Sequence, residues 1–215
     1  RQRHDNHFDL SKTARNFKDW FNGNPLGIGR HTFNVLSISD YTESPVKTAD
    51  TVWRTDNCRS AANGALMRTS IVATSPVIEE DEIADICRLT HPDMRCVGSC
   101  VLIVKLAQSL IFKDIQPDIS ILKHIADKYD SRISEYIDLA TNDDPASLSL
   151  DDNMAGYTLK TMSAALWSLW HCTSFKDCLL SIVNLGGDAD TNAAVSCALS
   201  GAKYGFSNIP PYYVD

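Results

Sequence analysis

Residues 95–112 read RCVGSCVLIVKLAQSLIF and are apolar on nearly all sides when they are placed on a helix. A helix with this pattern lies at the centre of a bundle, because a surface helix would show one polar face. Lys105 and Gln108 interrupt the apolar run, which is shorter than the about 20 residues of a helix that spans a bilayer. We therefore expect a central core helix and no membrane-spanning segment.

The segments on both sides of this helix also show helical spacing of apolar residues. Upstream, the pattern predicts helices over residues 10–21, 61–73 and 79–89. Downstream, it predicts helices from Pro117 onward and over residues 131–140, 158–171, 175–185 and 189–204. Residues 40–59 and 142–153 have no clear period and are predicted as loops. About eight helices without a strand indicate a single compact all-α domain over residues 1–215.

The amino-acid composition indicates a globular domain and excludes some classes of function. The chain has 215 residues, 44% of them hydrophobic and 22% charged, which is typical of one globular domain. Its formal net charge of −7 argues against a surface that neutralises nucleic-acid phosphates. Seven cysteines, an odd number, lie mostly among apolar neighbours, so we expect reduced thiols in a cytoplasmic protein.

The N-terminal residues lead to two further predictions, one about a signal peptide and one about residues upstream of Arg1. The chain begins with the charged sequence RQRHD and has no apolar stretch there that could act as a signal peptide. It begins with Arg1 rather than Met, so we expect further residues upstream.

The block LGGDADTNAA at residues 185–194 is the strongest candidate for chemistry. Asp188, Asp190 and Thr191 bring three side-chain oxygens to the first turn of a helix, and hard cations such as Mg²⁺ or Mn²⁺ prefer oxygen ligands. The alternative is that Asp188 is an N-cap and the other two are ordinary first-turn residues. Small residues later in this helix favour the functional interpretation, since they let the acidic turn pack on a rigid element.

Two other short patterns are weaker. Near Gly64, a helix start exposes backbone N–H groups, and Arg68 could pair with a phosphate or with a structural carboxylate. The alternative is a plain Asn-Gly turn followed by a core methionine. His91 follows a predicted helix end, where a histidine often serves as a partner of the helix dipole rather than as a ligand contact.

Six motifs, taken together and in this order, resemble the ADP-ribosylglycohydrolase family. They are Gly27-Ile28-Gly29, NGALMR at 63–68, LTHPD at 89–93, GYTLKTMSAALWSLW at 156–170, NLGGDADTNAA at 184–194 and GAKYGFSNIP at 201–210. The resemblance begins near residues 17–20 and reaches the C-terminus. It implies an all-helical fold around a two-metal cleft that hydrolyses the bond between ADP-ribose and a protein side chain or a small acceptor.

By the same resemblance, Asp188, Asp190 and Thr191 match ligands of a pair of Mg²⁺ or Mn²⁺ ions. A metal pair can orient ribose hydroxyls and lower the pKa of a water that attacks the anomeric carbon. The expected partner is ADP-ribose or an ADP-ribosylated protein, with neither nucleic acid nor a membrane as partner.

The resemblance also assigns four residues to the substrate. Asn63 and Gly64 match the loop that lines the ADP-ribose site, His91 matches a residue on the diphosphate side, and Tyr157 matches an aromatic residue beside the ribose. The acceptor, whether arginine, serine or a small nucleotide derivative, is left open.

One part of the family pattern is absent. The N-terminal Gly-Asp block and the Thr-Asp-Asp-Thr-like metal motif do not occur, and residues 55–57, TDN, stand in the wrong place in the order and are predicted as loop. Three ligands cannot complete two octahedral sites. We therefore expect a domain without its N-terminal segment, with the catalytic acid upstream and weak hydrolysis by this chain alone. The alternative is an inactive scaffold that binds ADP-ribose or a protein partner.

Overall fold

The structure is a computed structural model that describes residues 8–214. Within that range the chain forms eleven α-helices and five short 3₁₀ turns, and its only β pairing is one isolated bridge between Ala62 and Tyr157. The predicted all-α fold is confirmed. The helices are α1 (Leu10–Asn22), α2 (Arg30–Leu36), α3 (Pro45–Thr55), α4 (Gly64–Thr69), α5 (Glu80–Arg88), α6 (Met94–Lys113), α7 (Ile119–Ala126), α8 (Arg132–Leu139), α9 (Thr158–His171), α10 (Phe175–Asn184) and α11 (Ala189–Tyr204).

Helix α6 is the centre of the fold, as its sequence predicts. It contacts α4, α5, α7, α8, α9 and α11. At Gly98 the neighbouring helices approach so closely that an added Cβ would lie 2.4 Å from Ile133 Cδ1. By length and composition α6 could also cross a membrane, despite Lys105 and Gln108. However, 67% of its most apolar 18-residue stretch is buried inside the fold. Burial of this extent is that of a core helix.

Helices α9 and α11 complete the main core. They pack against each other and against α6, while α10 covers another side of α11. In α9, twelve consecutive residues from Thr158 to Leu169 are buried, including several polar ones. The seven cysteines of the chain are free thiols, and five of them are buried.

A smaller hydrophobic cluster joins α1, α2 and α3. Its buried members are Ala14, Val35, Leu36, Tyr41, Ala49 and Leu89. The prediction of a loop over residues 40–59 is wrong, because Pro45 begins α3 rather than breaking it and the fixed φ of proline suits a first helical turn. The apolar stripe of α3 is short, with Val46, Ala49 and Val52 set among polar residues, so it is hard to recognise in the sequence.

Other boundaries also differ from the predictions. Helix α2 was not predicted, since its seven residues span too few turns to show a period. The helix predicted over residues 61–73 is divided into α4 and a 3₁₀ turn over Ser70–Thr74. In residues 55–57, predicted as loop, Thr55 is the last residue of α3 and Asn57 has a positive φ of 52°.

Candidate functional site

A cavity of about 670 Å³ lies where the small α1–α3 cluster meets α4, the turn after α5 and the start of α11. Its walls carry aromatic, basic and acidic side chains. The lining residues are Phe17, Trp20, Gly27, Ile28, Gly29, Arg30, His31, Thr32, Leu36, Ala62, Asn63, Gly64, Met67, Arg68, Thr90, His91, Asp188, Asp190 and Thr191. Six of the seven residues predicted for the site thus face one cavity.

We call Asp188, Asp190 and Thr191 the acidic turn. The chain enters it through Gly186 and Gly187, which have φ of +73° and +65°. A Cβ on Gly187 would lie 2.0 Å from the Leu150 carbonyl oxygen, so the backbone passes where only glycine fits. Asp190 is exposed at the cavity and Thr191 is buried.

The Asp188 carboxylate does not cap α11. Asp188 is the N-cap residue by position, yet its side chain accepts no hydrogen bond from the first helical N–H groups. Its Oδ2 instead accepts a hydrogen bond of 2.7 Å from Asn63 Nδ2. The simple N-cap interpretation therefore does not account for this residue.

Asn63 links three elements around the acidic turn. Besides Asp188, its Nδ2 donates to Thr161 Oγ1 at 2.8 Å, and the Thr161 hydroxyl donates to Asn192 Oδ1 at 2.7 Å. The Asn63 backbone N–H also donates to the Gly156 carbonyl. Sequence reasoning did not assign a role to Thr161 or Asn192, although both lie inside motifs that it singled out. This buried network fixes the orientation of the Asp188 carboxylate.

The donor set of the acidic turn fits one side of a hard cation. Two carboxylates and a hydroxyl supply only oxygen, and Mg²⁺ is commonly held by one or two carboxylates with water or substrate in its other positions. The Thr191 N–H and then a hydrogen bond with Asp188 lower the pKa of the Asp190 carboxyl. The described residues contain no group of three or more His, Cys, Asp or Glu placed to hold a metal, so this set is partial.

We call His31, Arg68, Thr90 and His91 the basic wall. The Arg68 guanidinium donates to the Gly64 carbonyl at 2.9 Å and to Thr90 Oγ1 at 2.7 Å, and it lies over the Phe17 ring at 4.7 Å. Its Nε is buried without a hydrogen-bond partner. Across residues 8–214 no carboxylate pairs with Arg68, so the structural carboxylate considered from the sequence is not found there.

His91 is almost fully buried, at 1% exposure. Its Nδ1 lies 2.7 Å from Thr90 Oγ1, and its Nε2 is buried with no partner. Burial, then the charge of Arg68, then His31 hold the pKa of His91 well below its ordinary value, so the ring is neutral. A neutral ring bonded to a hydroxyl does not fit the dipole-partner interpretation, which needs a charged histidine.

His31 supports His91 from the side. Its Nε2 donates to the Thr90 carbonyl at 2.9 Å, and the two imidazole rings meet edge to face with centroids 4.7 Å apart. Burial lowers the pKa of His31. Sequence reasoning missed His31, although it lies only two residues after the Gly27-Ile28-Gly29 motif.

Tyr157 is the predicted site residue that lies outside the lining of the cavity. Its ring packs on Tyr136, with centroids 5.7 Å apart, and faces the Arg95 guanidinium at 5.6 Å. Only its backbone joins the site region, through the bridge to Ala62. The aromatic surface of the cavity is formed by Phe17 and Trp20 instead.

Comparison with known proteins identifies the family of this chain. The sequence model of the ADP-ribosylglycohydrolase family matches residues 1–215. ADP-ribosylarginine hydrolase Tri1 of Serratia proteamaculans is 44% identical over 61 residues, which is 28% of this chain. ADP-ribosyl-(dinitrogen reductase) glycohydrolase of Rhodospirillum rubrum is 25% identical over 213 residues, or 94% of this chain.

A solved structure shares the fold. A chain of an ADP-ribosylglycohydrolase-related protein complex superposes with a TM-score of 0.74 at 23% identity, covering 96% of this chain and 68% of that chain. The matches span 17% of the length of the Serratia protein and 64% of the Rhodospirillum protein. The family match extends over the whole sequence, and on that ground this chain belongs to the ADP-ribosylglycohydrolase family.

Proposed function

We propose that this protein is a metal-dependent hydrolase that cleaves the glycosidic bond between ADP-ribose and an acceptor group. The observation that carries the proposal is the arrangement of one cavity around residues 63 and 64. Asn63 holds the acidic turn through Asp188, and Gly64 touches the basic wall through its carbonyl bond to Arg68. A ligand with a diphosphate and a ribose needs both kinds of surface within a short distance.

The basic wall suits the diphosphate. Arg68 Nε and His91 Nε2 are buried nitrogen atoms without partners, and Arg68 carries a positive charge that no described carboxylate neutralises. Buried donors of this kind cost free energy until they are satisfied, and a phosphate oxygen satisfies them with charge-assisted hydrogen bonds. The basic wall therefore binds the charged middle of the ligand.

The acidic turn suits the ribose and the reacting bond. Asp188, Asp190 and Thr191 would hold a divalent cation, Mg²⁺ or Mn²⁺, and two ions would need further ligands. When bound, such a cation supplies Lewis-acid chemistry that orients ribose hydroxyls and activates water. Asn63 keeps the Asp188 carboxylate in one orientation through its 2.7 Å hydrogen bond. The general acid is not assigned to a residue of this chain.

We propose an ADP-ribosylated protein side chain as the substrate class, with arginine as the first acceptor to test. The Serratia relative is named as an ADP-ribosylarginine hydrolase, and the Rhodospirillum relative is named for ADP-ribosylated dinitrogen reductase. The net charge of −7 favours a partner other than nucleic acid. Seven free thiols suit a reducing compartment, so we propose a cytoplasmic location.

The test is release of ADP-ribose from arginine-linked and serine-linked peptides, measured by chromatography with Mg²⁺, Mn²⁺ or a chelator present. We expect release that is weak from this chain alone and depends on the metal, that is abolished by Asp190→Asn and that is retained by Asp143→Asn, whose fully exposed carboxylate lies outside the cavity. Tight binding of free ADP-ribose without release from either peptide would favour the scaffold alternative. Absence of both binding and release would contradict the proposal.

A further inference from the structure

We propose that Arg68 and Thr90 are positioning residues that fix His91 as a neutral imidazole with its proton on Nε2, so that the ring presents one directed N–H donor to the cavity. The inference concerns the hydrogen-bond chain Arg68 to Thr90 to His91. Only its last step, the identity of the acceptor in the cavity, rests on the proposed function.

The direction of the chain follows from what each group can donate. Arg68 has no acceptor atom, so its 2.7 Å contact with Thr90 Oγ1 makes the threonine oxygen an acceptor. The Thr90 hydroxyl keeps one proton of its own, and the other group within hydrogen-bond distance is His91 Nδ1 at 2.7 Å. When Thr90 donates that proton, Nδ1 is the accepting nitrogen. The ring proton then lies on Nε2.

The opposite tautomer leaves more groups unsatisfied. With the proton on Nδ1, His91 would donate to Thr90 Oγ1, and the Thr90 hydroxyl proton would have no acceptor among the hydrogen bonds of residues 8–214. The Nε2 lone pair would also be buried without a donor. The first arrangement leaves only the Nε2–H without a partner, and the cavity is where a ligand can supply one.

Arg68 also sets the distance between His91 and the neighbouring backbone. Its second bond goes to the Gly64 carbonyl, and a Cβ on Gly64 would lie 3.3 Å from His91 Cε1 and 3.4 Å from Nε2. The guanidinium therefore holds Gly64 and Thr90 at once. His31 fixes the same turn from the other side through its bond to the Thr90 carbonyl.

The resulting donor matches an oxyanion. His91 Nε2–H and Arg68 Nε–H are both buried and unpartnered, and the guanidinium adds a fixed positive charge. Under the proposed function, the acceptor is a phosphate oxygen of ADP-ribose. A ring in the other tautomer would offer a lone pair there and would repel that oxygen.

The first experiment reads the tautomer directly and needs no substrate. Long-range ¹H–¹⁵N correlation spectra of ¹⁵N-labelled protein distinguish a protonated ring nitrogen from an accepting one, and His91→Gln assigns the signal. We expect Nε2 protonated and Nδ1 accepting in the unaltered protein. Thr90→Val removes the hydroxyl and should give a mixture of tautomers, whereas Thr90→Ser should keep the original pattern. Thr51→Val, at an exposed threonine that bonds within its own helix, is the matched control.

The second experiment measures binding of free ADP-ribose by calorimetry. We expect Thr90→Val to weaken binding about tenfold, as for one lost directed hydrogen bond to a charged group, and Thr90→Ser to stay within about twofold. A proton on Nδ1 in the unaltered protein, or an unchanged tautomer in folded Thr90→Val, would overturn the inference. The expected tautomers without any ADP-ribose binding would uphold the positioning roles and overturn the phosphate assignment.

Discussion

The basic wall and the acidic turn line the same cavity but differ in how far their own side chains determine their geometry. In the basic wall, Arg68, Thr90 and His91 bond to one another, and just two buried nitrogen atoms remain unpartnered among the described residues. In the acidic turn, Asp190 is exposed and the Thr191 hydroxyl has a weak contact, 3.8 Å to Met67 Sδ. The side chains of the basic wall therefore organise one another, whereas the acidic turn is held mainly at Asp188, by a residue outside the turn, Asn63.

Gly187→Ala should have the largest effect. It should disrupt the acidic turn and leave the basic wall intact. The new Cβ would meet the Leu150 carbonyl at 2.0 Å, and the residue would be held at a positive φ of 65°. We expect a loss of about 2–4 kcal/mol in the free energy of unfolding, together with loss of Mg²⁺ binding. Denaturant unfolding and metal titration check this. Gly201→Ala, inside α11, meets nothing within 4 Å and should leave stability equal or higher.

Asn63→Ala should loosen the acidic turn without unfolding it. The Asp188 carboxylate loses its 2.7 Å hydrogen bond, so we expect divalent-cation affinity to fall by about 10–100-fold, as for other groups that orient a metal ligand. Titration with Mn²⁺, followed by its paramagnetic signal, measures the change. Asn142→Ala, at an exposed asparagine, is the control. Equal Mn²⁺ affinity in Asn63→Ala would show that Asp188 is held by something else.

His91→Gln tests the basic wall through pH. The pKa of His91 is lowered in the folded state, by burial first and then by Arg68 and His31, so the unfolded chain binds the proton more readily. The stabilising contribution is present above the ordinary value of 6.5 and is lost as the pH falls below it. Below that pH, the free energy of unfolding should fall less steeply in the variant, and the difference in slope should be at most about 1.4 kcal/mol per pH unit. His124→Gln, at an exposed histidine, should leave the slope unchanged.

Trp20→Ala should have the smallest effect, because this residue belongs to neither region. Its side chain lines the cavity while 48% exposed, so removal should change stability by less than about 0.5 kcal/mol. Loss of aromatic surface should weaken ADP-ribose binding by about 3–10-fold. Calorimetry measures it against Phe206→Ala, an exposed aromatic outside the cavity lining. Equal ADP-ribose affinities of the two variants would show that Trp20 does not contact the ligand.

The sequence predicts the helices whose apolar residues recur at helical spacing over several turns. Helices α6 and α9 are apolar on most sides, so their patterns are unmistakable in the chain itself. Helix α3 has only a short apolar stripe behind Pro45 and α2 has only seven residues, so neither leaves a periodic signal long enough to recognise. Propensity and spacing fail where a helix depends on its neighbours rather than on its own apolar face.

The candidate site likewise contains residues that the sequence predicts and residues that it does not. The glycines and acids of the acidic turn are contiguous and could be recognised from the sequence. Thr161 could not be assigned as a partner of Asn63, because nothing local in the chain specifies a contact across 98 residues. The direction of the Tyr157 ring was equally inaccessible, since Arg95 and Tyr136 determine it from other helices.

The hydrogen bond between Asn63 and Asp188 also bears on the order in which the cavity assembles. It closes a loop of 125 residues, whereas the bond between Arg68 and Thr90 closes one of 22. The entropy of loop closure makes the longer contact costlier by about 1.5 kcal/mol before other contacts share that cost. The basic wall can therefore form early from a local segment, while the acidic turn reaches its place only when the two ends of the domain have met.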